Sequence, residues 1–400
     1  MSITAMQPVA SPRVTVTLLP IMAVVFAAFL VIGVAMPVLP IHVHDGLGLG
    51  TFAVGLVAGS QFAASLVSRP WAGHFSDRRG AKRGVVAGLI AAAASGLLYL
   101  LSIHVAAPRT SIAILLLGRG VLGAAESFII TAAVSWGLAL VDAGNTGKVI
   151  AWVGSAMFAA FAIGAPTGSA LYAAYGFAAI AAATAIAPLL ALAIVLPLPS
   201  VAPMQHARSS FVRVLGSVWV PGLGSALGSV GFGAVTTFVA LLFANRGWAN
   251  GWLAYTAYAV AFILARLFFS HLADRIGGAK VALVCALVEA AGQALIWLAV
   301  RPEMALAGAA LTGFGFSLIY PGFGVEAVCR APAQSRGLAM GAYTAFLDLA
   351  QGLASPALGL IAIGARLNVL FLASAVTVLC AALVAWWLLA HPFTVEGHPQ

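Results

Sequence analysis

The feature that most constrains this chain is the recurrence of apolar runs of about 20 residues, because about that many helical residues cross a hydrocarbon core about 30 Å thick. Twelve such runs can be marked off by polar, Pro or Gly punctuation, at 15–40, 50–72, 82–103, 111–138, 148–172, 176–197, 218–244, 250–270, 280–300, 303–329, 337–362 and 366–390. They are apolar on all faces, whereas a strand of a membrane barrel alternates apolar and polar residues. In lipid every backbone amide needs a partner within the protein, and a helix supplies one locally. The expected fold class is therefore all-α membrane protein, with 43 glycines suited to close contacts between helices.

Composition agrees with a lipid solvent. Of 400 residues, 62% are hydrophobic and 7% are charged, against about 25% charged in a soluble domain, which excludes an ordinary soluble enzyme and a disordered chain. The net charge of +9 is a matter of topology and does not call for a nucleic-acid partner. With the N-terminus inside, 14 of the 19 Lys and Arg fall in or near cytoplasmic segments, Arg109, Arg246, Arg301 and Arg366 fall outside, and Arg119 lies within the fourth run. Both termini are expected in the cytoplasm. Met1 to Arg13 is followed by no small-residue cleavage site after the first run, which reads as a retained span of an inner-membrane protein.

Cys285, Cys329 and Cys380 are far apart and offer neither a disulfide framework nor metal-ligand spacing. Two histidines and one acid in His42-Val-His44-Asp45 are too few for a metal site. No phosphate-binding Gly-x-x-x-x-Gly-Lys-Ser/Thr loop is present, so ATP-driven pumping by this chain is disfavoured. No metal and no cofactor are expected. A membrane enzyme would need clustered acids or histidines, and a receptor would need sizeable extramembrane domains.

The polar break from Pro197 to Ser217 divides the runs six and six: an N-terminal bundle at 1–197, a linker at 198–217 and a C-terminal bundle at 218–400. The halves repeat a motif. Between runs two and three the chain carries Arg69, Gly73, His74, Asp77, Arg78, Gly80, Ala81 and Lys82; between runs eight and nine it carries Arg266, Ser270, His271, Asp274, Arg275, Gly277, Ala279 and Lys280. The arginine precedes the aspartate by eight residues in both copies. A duplicated six-helix unit is a transporter architecture with its binding cavity near the midplane.

These residues resemble the loop motif of the major facilitator superfamily, Gly-x-Leu-Ala-Asp-Arg-x-Gly-Arg-Lys. Gly73, Asp77, Arg78, Gly80 and Lys82 match it, with Phe75 in place of Leu and Ala81 in place of Arg. Over essentially its whole length the chain resembles the uncharacterised bacterial YfcJ/YhhS-like efflux branch. The resemblance implies twelve transmembrane helices in two six-helix bundles. It also implies a conformational latch in which Asp77 with Arg69 and Arg78 holds the outward-facing state, with Asp274, Arg266 and Arg275 as a weaker counterpart. The glycine of such a tight loop serves where φ is positive, and the acid can meet a neighbouring helix N-terminus.

A charge at bilayer depth costs at least roughly 2.5–3.5 kcal/mol, which makes each one a functional candidate. Glu126 in run four and Asp348 in run eleven are the candidates for proton coupling. Arg119 and Gly123 resemble the family's Arg-x-x-Gln-Gly motif, although Leu122 occupies the Gln position. Arg119 and Glu126 are two turns apart, about 10.5 Å along the axis, so a direct ion pair is not expected. Gln61, Phe26, Phe29, Trp152 and Phe346 are candidates to line the cavity. Glu289 and Gln293 share a face of run nine, which in the family is peripheral, and a packing role is expected. Glu326, with Arg330 at i+4, is a candidate gate or latch residue. Gly164, Pro166 and Gly168 in run five loosely resemble the antiporter motif Gly-Pro-x-x-Gly-Gly, with Pro356 as repeat counterpart; proline withholds a backbone donor and bends the helix.

The expectation is a secondary transporter acting by alternating access, a proton-coupled antiporter exporting a small organic molecule. Its partners would be the solute, the proton and the bilayer, and it would act as a monomer. A proton symporter or uniporter importing a metabolite is the alternative.

Overall fold

A computed structural model describes residues 14–141, 146–201, 211–331, 336–363 and 366–391. Among them the regular structure is helical, and twelve helices are long and apolar enough to cross a membrane. They are α1 (Val16–Gly46), α2 (Thr51–Arg79), α3 (Ala81–Ile103), α4 (Pro108–Leu140), α5 (Trp152–Tyr175), α6 (Phe177–Val195), α7 (Leu215–Asn245), α8 (Trp252–Phe269), α9 (Gly278–Trp297), α10 (Pro302–Arg330), α11 (Ala339–Ile361) and α12 (Val369–Ala390).

All twelve anticipated runs are helical, and several reach further than their apolar stretches. α2 continues past residue 72 to Arg79, so Gly73 to Arg79 belong to a helix and the connection to α3 is Gly80. Helix begins at Phe211, inside the stretch read as a linker; residues 202–210 of that linker lie outside the described ones. α1 ends in a π-helical turn over His42–Gly46. The regular helix of α7 is interrupted at Ser229, between Phe211–Gly228 and Val230–Asn245, where Gln351 on α11 donates Nε2 to the Ser229 carbonyl at 2.9 Å.

The two six-helix bundles repeat one packing scheme. α1 lies against α5 and α6 as α7 lies against α11 and α12; α2 packs on α4 as α8 packs on α10; α3 contacts α4 and α6 as α9 contacts α10 and α12. Small residues set these approaches. A Cβ on Gly168 of α5 would run into the carbonyl oxygen of Val34 on α1, and one on Gly123 of α4 into that of Gln61 on α2. Apolar side chains such as Leu19, Val67, Leu97, Leu190, Leu267 and Leu383 remain exposed on the outside, as expected of a surface solvated by lipid rather than water.

Between the bundles α2 runs along α11 and α5 along α8. Each helix pair carries a threonine-to-carbonyl hydrogen bond, at a different level in the two pairs. Thr51 donates Oγ1 to the Gly359 carbonyl at 2.8 Å, and Thr256 donates Oγ1 to the Ala162 carbonyl at 3.1 Å. Phe158 of α5 stacks on Phe262 of α8 with centroids 3.5 Å apart, and Pro356 of α11 abuts Gly59 of α2. Toward the end that carries the Gly80 and Gly277 turns, these contacts reach as far as Arg69 and Arg266.

Candidate functional site

The polar groups inside the bundles concentrate where the paired helices meet. α2 and α4 are pinned at two levels: Arg119, 7% exposed, donates Nε to the Val57 carbonyl at 3.2 Å, and Gln61 donates Nε2 to Oε2 of Glu126 at 2.6 Å. Gly123 between them lets α2 come close enough for both bonds. Gln61 is 1% exposed and its Oε1 has no partner among the described residues. Arg119 and Glu126 form no ion pair, as the two-turn separation requires.

The second level crosses the bundles. Asp348 on α11, 5% exposed, accepts at Oδ2 from Nε of Arg69 on α2 at 2.8 Å and from its Nη2 at 2.5 Å. Two donors on one carboxylate make a charge-assisted clasp in a poorly solvated place. The resemblance groups Arg69 with Asp77 and Arg78 as a latch; in this structure α2 continues unbroken to Arg79 and carries Arg69 well inside the helix, facing the other bundle.

Arg266 holds the same place in the second copy of the motif and also lies inside its helix rather than at a turn. Its Nη2 donates to the Ser317 carbonyl of α10 at 3.2 Å, its guanidinium sits 4.9 Å from the Phe262 ring centroid, and its Nη1 faces Gly154 of α5 in the other bundle. Beside it Tyr320 of α10 shares a 2.9 Å hydrogen bond with Thr344 of α11, and Tyr343 donates to the Tyr320 carbonyl at 2.6 Å. Sequence reasoning missed Tyr320 and Thr344. The available signal was a tyrosine preceding Pro321 inside an otherwise apolar run.

The aromatic candidates separate. Phe26 and Trp152 are half-buried. Phe346 packs its ring on Gly222 of α7. Phe29 is 1% exposed, 6.0 Å from Phe161 between α1 and α5, which makes it a packing residue and corrects its assignment to a cavity wall.

At the turns, Gly80 and Gly277 adopt φ of 91° and 95°, the left-handed region expected of the motif glycine. Lys82 donates Nζ to the carbonyls of Leu196 and Leu198 at 2.7 Å, fastening the start of α3 to the end of α6. Gly73 has open space around it. Arg79 lies 5.2 Å from the Phe75 ring centroid. Asp77, Arg78 and Arg275 stand at the helix ends beside the turns, and the side chain of Asp274 lies outside the described residues. Where α2 is continuous, the second copy breaks after Phe269 and resumes as a short helix, Leu272–Ile276. Glu326 accepts from the Ala279 backbone N–H at 3.3 Å and from Arg330 at 3.3 Å, so it serves the start of α9 within its own bundle.

Glu289 is fully enclosed, its carboxyl against Gly231 of α7, and Gln293 donates to the Gly231 carbonyl and to Thr312. This face of α9 packs within its own bundle, while Val284 and Leu287 on the other face are exposed. Gly164 and Gly168 face α1, Pro166 lies within α5, and Pro356 lies at the α2–α11 crossing. His42 stacks on Phe177 at 3.8 Å while His44 hydrogen-bonds the Leu49 carbonyl, so the two rings are engaged separately.

The sequence profile described as Major Facilitator Superfamily matches residues 21–253 and again 247–400. The chain is 45% identical over 359 residues to an uncharacterized MFS-type transporter of Pseudomonas aeruginosa strain LESB58, covering 89% of each chain. It is 39% identical over 392 residues to the uncharacterized MFS-type transporter YhhS of Escherichia coli K12, covering 96% of this chain and 97% of that one. Among solved structures it is similar to the POT family transporter PepTSo, with TM-score 0.77 at 12% identity, covering 97% of this chain and 100% of the other. A bacterial homologue of the human lysosomal transporter Spinster, inward-facing and unoccupied, gives TM-score 0.73 at 14% identity, covering 96% and 99%. At such identities the structural likeness speaks to the fold.

Proposed function

The chain belongs to the major facilitator superfamily, and from that premise we propose that this multi-pass membrane transporter is a proton-coupled antiporter that exports a small organic molecule. The observation that carries the reading is the Arg69–Asp348 ion pair, which ties α2 of one bundle to α11 of the other. A proton on Asp348 cancels its attraction for the guanidinium, so the same group that takes the proton governs whether the bundles stay clasped at that level. Glu126, held by a single amide donor, is the partner carboxyl in the first bundle. Proton arrival at these two acids biases the rocking of the bundles, which is the form that coupling takes in a two-state machine.

Export is supported by the proline and glycines of α5, which resemble the antiporter pattern; the Lys and Arg bias separately assigns both termini to the cytoplasm. On that assignment the contacts between α2 and α11 and between α5 and α8 close the outer side. Asp77, Arg78 and Lys82, with Asp274 and Arg275 in the second copy, then form the latch that engages when the bundles tilt the other way.

The test is solute-dependent proton movement in proteoliposomes of known orientation, across a screen of metabolites and drugs. Coupled exchange should require the pH gradient and should be lost in Glu126→Gln and Asp348→Asn. Transport indifferent to collapse of the gradient would remove the proton from the reading. Accumulation in the direction of proton flow would replace antiport by symport.

A further inference from the structure

We propose that Arg266 is the binding residue for an oxyanionic group, such as a carboxylate, on the transported solute. The inference deepens the transport reading above and rests on it. It starts from a symmetry that is broken at one position. Arg69 and Arg266 both stand eight residues before the motif aspartate, on α2 and α8, and the helices they face, α11 and α5, carry Pro356 and Pro166. Structural contacts fix the register. Gly59 and Thr256 each stand ten residues before their arginine, and Gly352 and Ala162 each stand four before their proline. Gly59 abuts the Gly352 carbonyl, and Thr256 hydrogen-bonds the Ala162 carbonyl. In that register the residue eight before the proline is Asp348 on α11 and Phe158 on α5.

The first arginine therefore meets a carboxylate and the second meets an aromatic ring. Asp348 takes two hydrogen bonds from Arg69, whereas Phe158 stacks on Phe262, the ring beside Arg266. Among the described residues no carboxylate pairs with Arg266; its one hydrogen bond is to the Ser317 carbonyl. A guanidinium at this depth without a counter-charge is costly, and its planar array of donors suits a bidentate oxyanion. The surroundings add complementary features: the Tyr320 and Thr344 hydroxyls for further hydrogen bonds, and the stacked Phe158 and Phe262 rings for an apolar body. Of the other acids at depth, Asp348 is engaged by Arg69 and Glu126 by Gln61, and Glu289 lies against Gly231 of α7. The position is also where alternating access needs a solute, at the seam of α5 and α8, with Nη1 turned toward Gly154 of the opposite bundle.

One test needs no ligand. Phe158→Asp supplies the carboxylate that the second repeat already has, with Phe158→Asn as its uncharged control. The fall in thermal midpoint caused by Phe158→Asp should be smaller with Arg266 present than in an Arg266→Gln background, and Phe158→Asn should show no such dependence. Equal losses in both backgrounds would overturn the proposal.

The second test measures binding to protein in nanodiscs at neutral pH. Benzoate, phenylphosphonate and succinate are compared with benzamide, benzylamine and succinamide. At least one oxyanion should bind, with its amide and amine counterparts inert. Its affinity should drop roughly 10–100-fold in Arg266→Gln, the loss expected for charge-assisted hydrogen bonds, recover in part with Arg266→Lys, vanish in Phe158→Asp and weaken far less in Phe158→Leu, which keeps an apolar surface without the ring. The benzoate and phenylphosphonate arms decide which oxyanion is meant. Binding of none of the three anions, equal affinity in Arg266→Gln, or preference for benzylamine would each overturn the proposal. Anion binding without proton-coupled flux would instead leave this site standing and remove the coupling.

Discussion

Arg69 on α2 and Asp348 on α11, separated by most of the chain, form a two-donor ion pair between the bundles at 2.5 and 2.8 Å. Removing the acid alone leaves a guanidinium in a poorly solvated seam. Asp348→Ala should destabilise the purified protein by about 2 kcal/mol; this is less than the loss for a fully buried pair, since the Arg69 side chain is 23% exposed. The exchange Arg69→Asp with Asp348→Arg should recover part of that loss. Thermal unfolding of the singles and the double exchange measures the coupling directly.

Glu126→Gln keeps the shape of the side chain and an oxygen for the Gln61 amide to reach. Folding should survive within about 1 kcal/mol while gradient-driven transport is lost, because an amide holds no exchangeable charge. Solute counterflow without a gradient should persist in the same variant, so the pair of assays separates coupling from binding.

Two glycines should respond oppositely to alanine. At Gly123 the added methyl meets the Gln61 carbonyl oxygen, so α2 and α4 must separate and stability should fall by roughly 1–3 kcal/mol. At Gly73 nothing lies within 4 Å and the residue is helical, so alanine should stabilise this conformation by up to about 1 kcal/mol. If the latch closes over Gly73 in the other conformation, transport in Gly73→Ala slows while the thermal midpoint is kept or raised.

Cysteines at Ala63 and Gly352 should bridge α2 to α11, since a Cβ on Gly352 would stand 3.4 Å from that of Ala63. In a background lacking Cys285, Cys329 and Cys380, oxidation should stop transport and reduction should restore it. Undiminished transport in the oxidised double variant would mean that the bundles do not part at this seam.

Much of the architecture was legible from the chain itself. Apolar length fixed twelve crossings because a helix satisfies its own backbone, and the repeated Arg, Asp and Gly of the two turns marked the duplication, with positive φ at Gly80 and Gly277 following from local sterics. The acids at depth, Glu126 and Asp348, were visible as rare charges in apolar runs. Their partners were not. Arg69 was grouped with the charges of the turn, whereas the helix that carries it ends only at Arg79; Phe29 could not be placed because an apolar run carries no mark of which face meets lipid, a neighbouring helix or a cavity.

The sequence by itself determined that this chain lies in a bilayer as twelve helices in two related sets of six, since burial of apolar length and local hydrogen bonding require no knowledge of neighbours. Only the tertiary structure decided that Arg69 finds Asp348 while Arg266 finds Phe262 and a backbone carbonyl. Those pairings depend on how two bundles are set against each other, and a charge takes whatever partner that docking brings within reach.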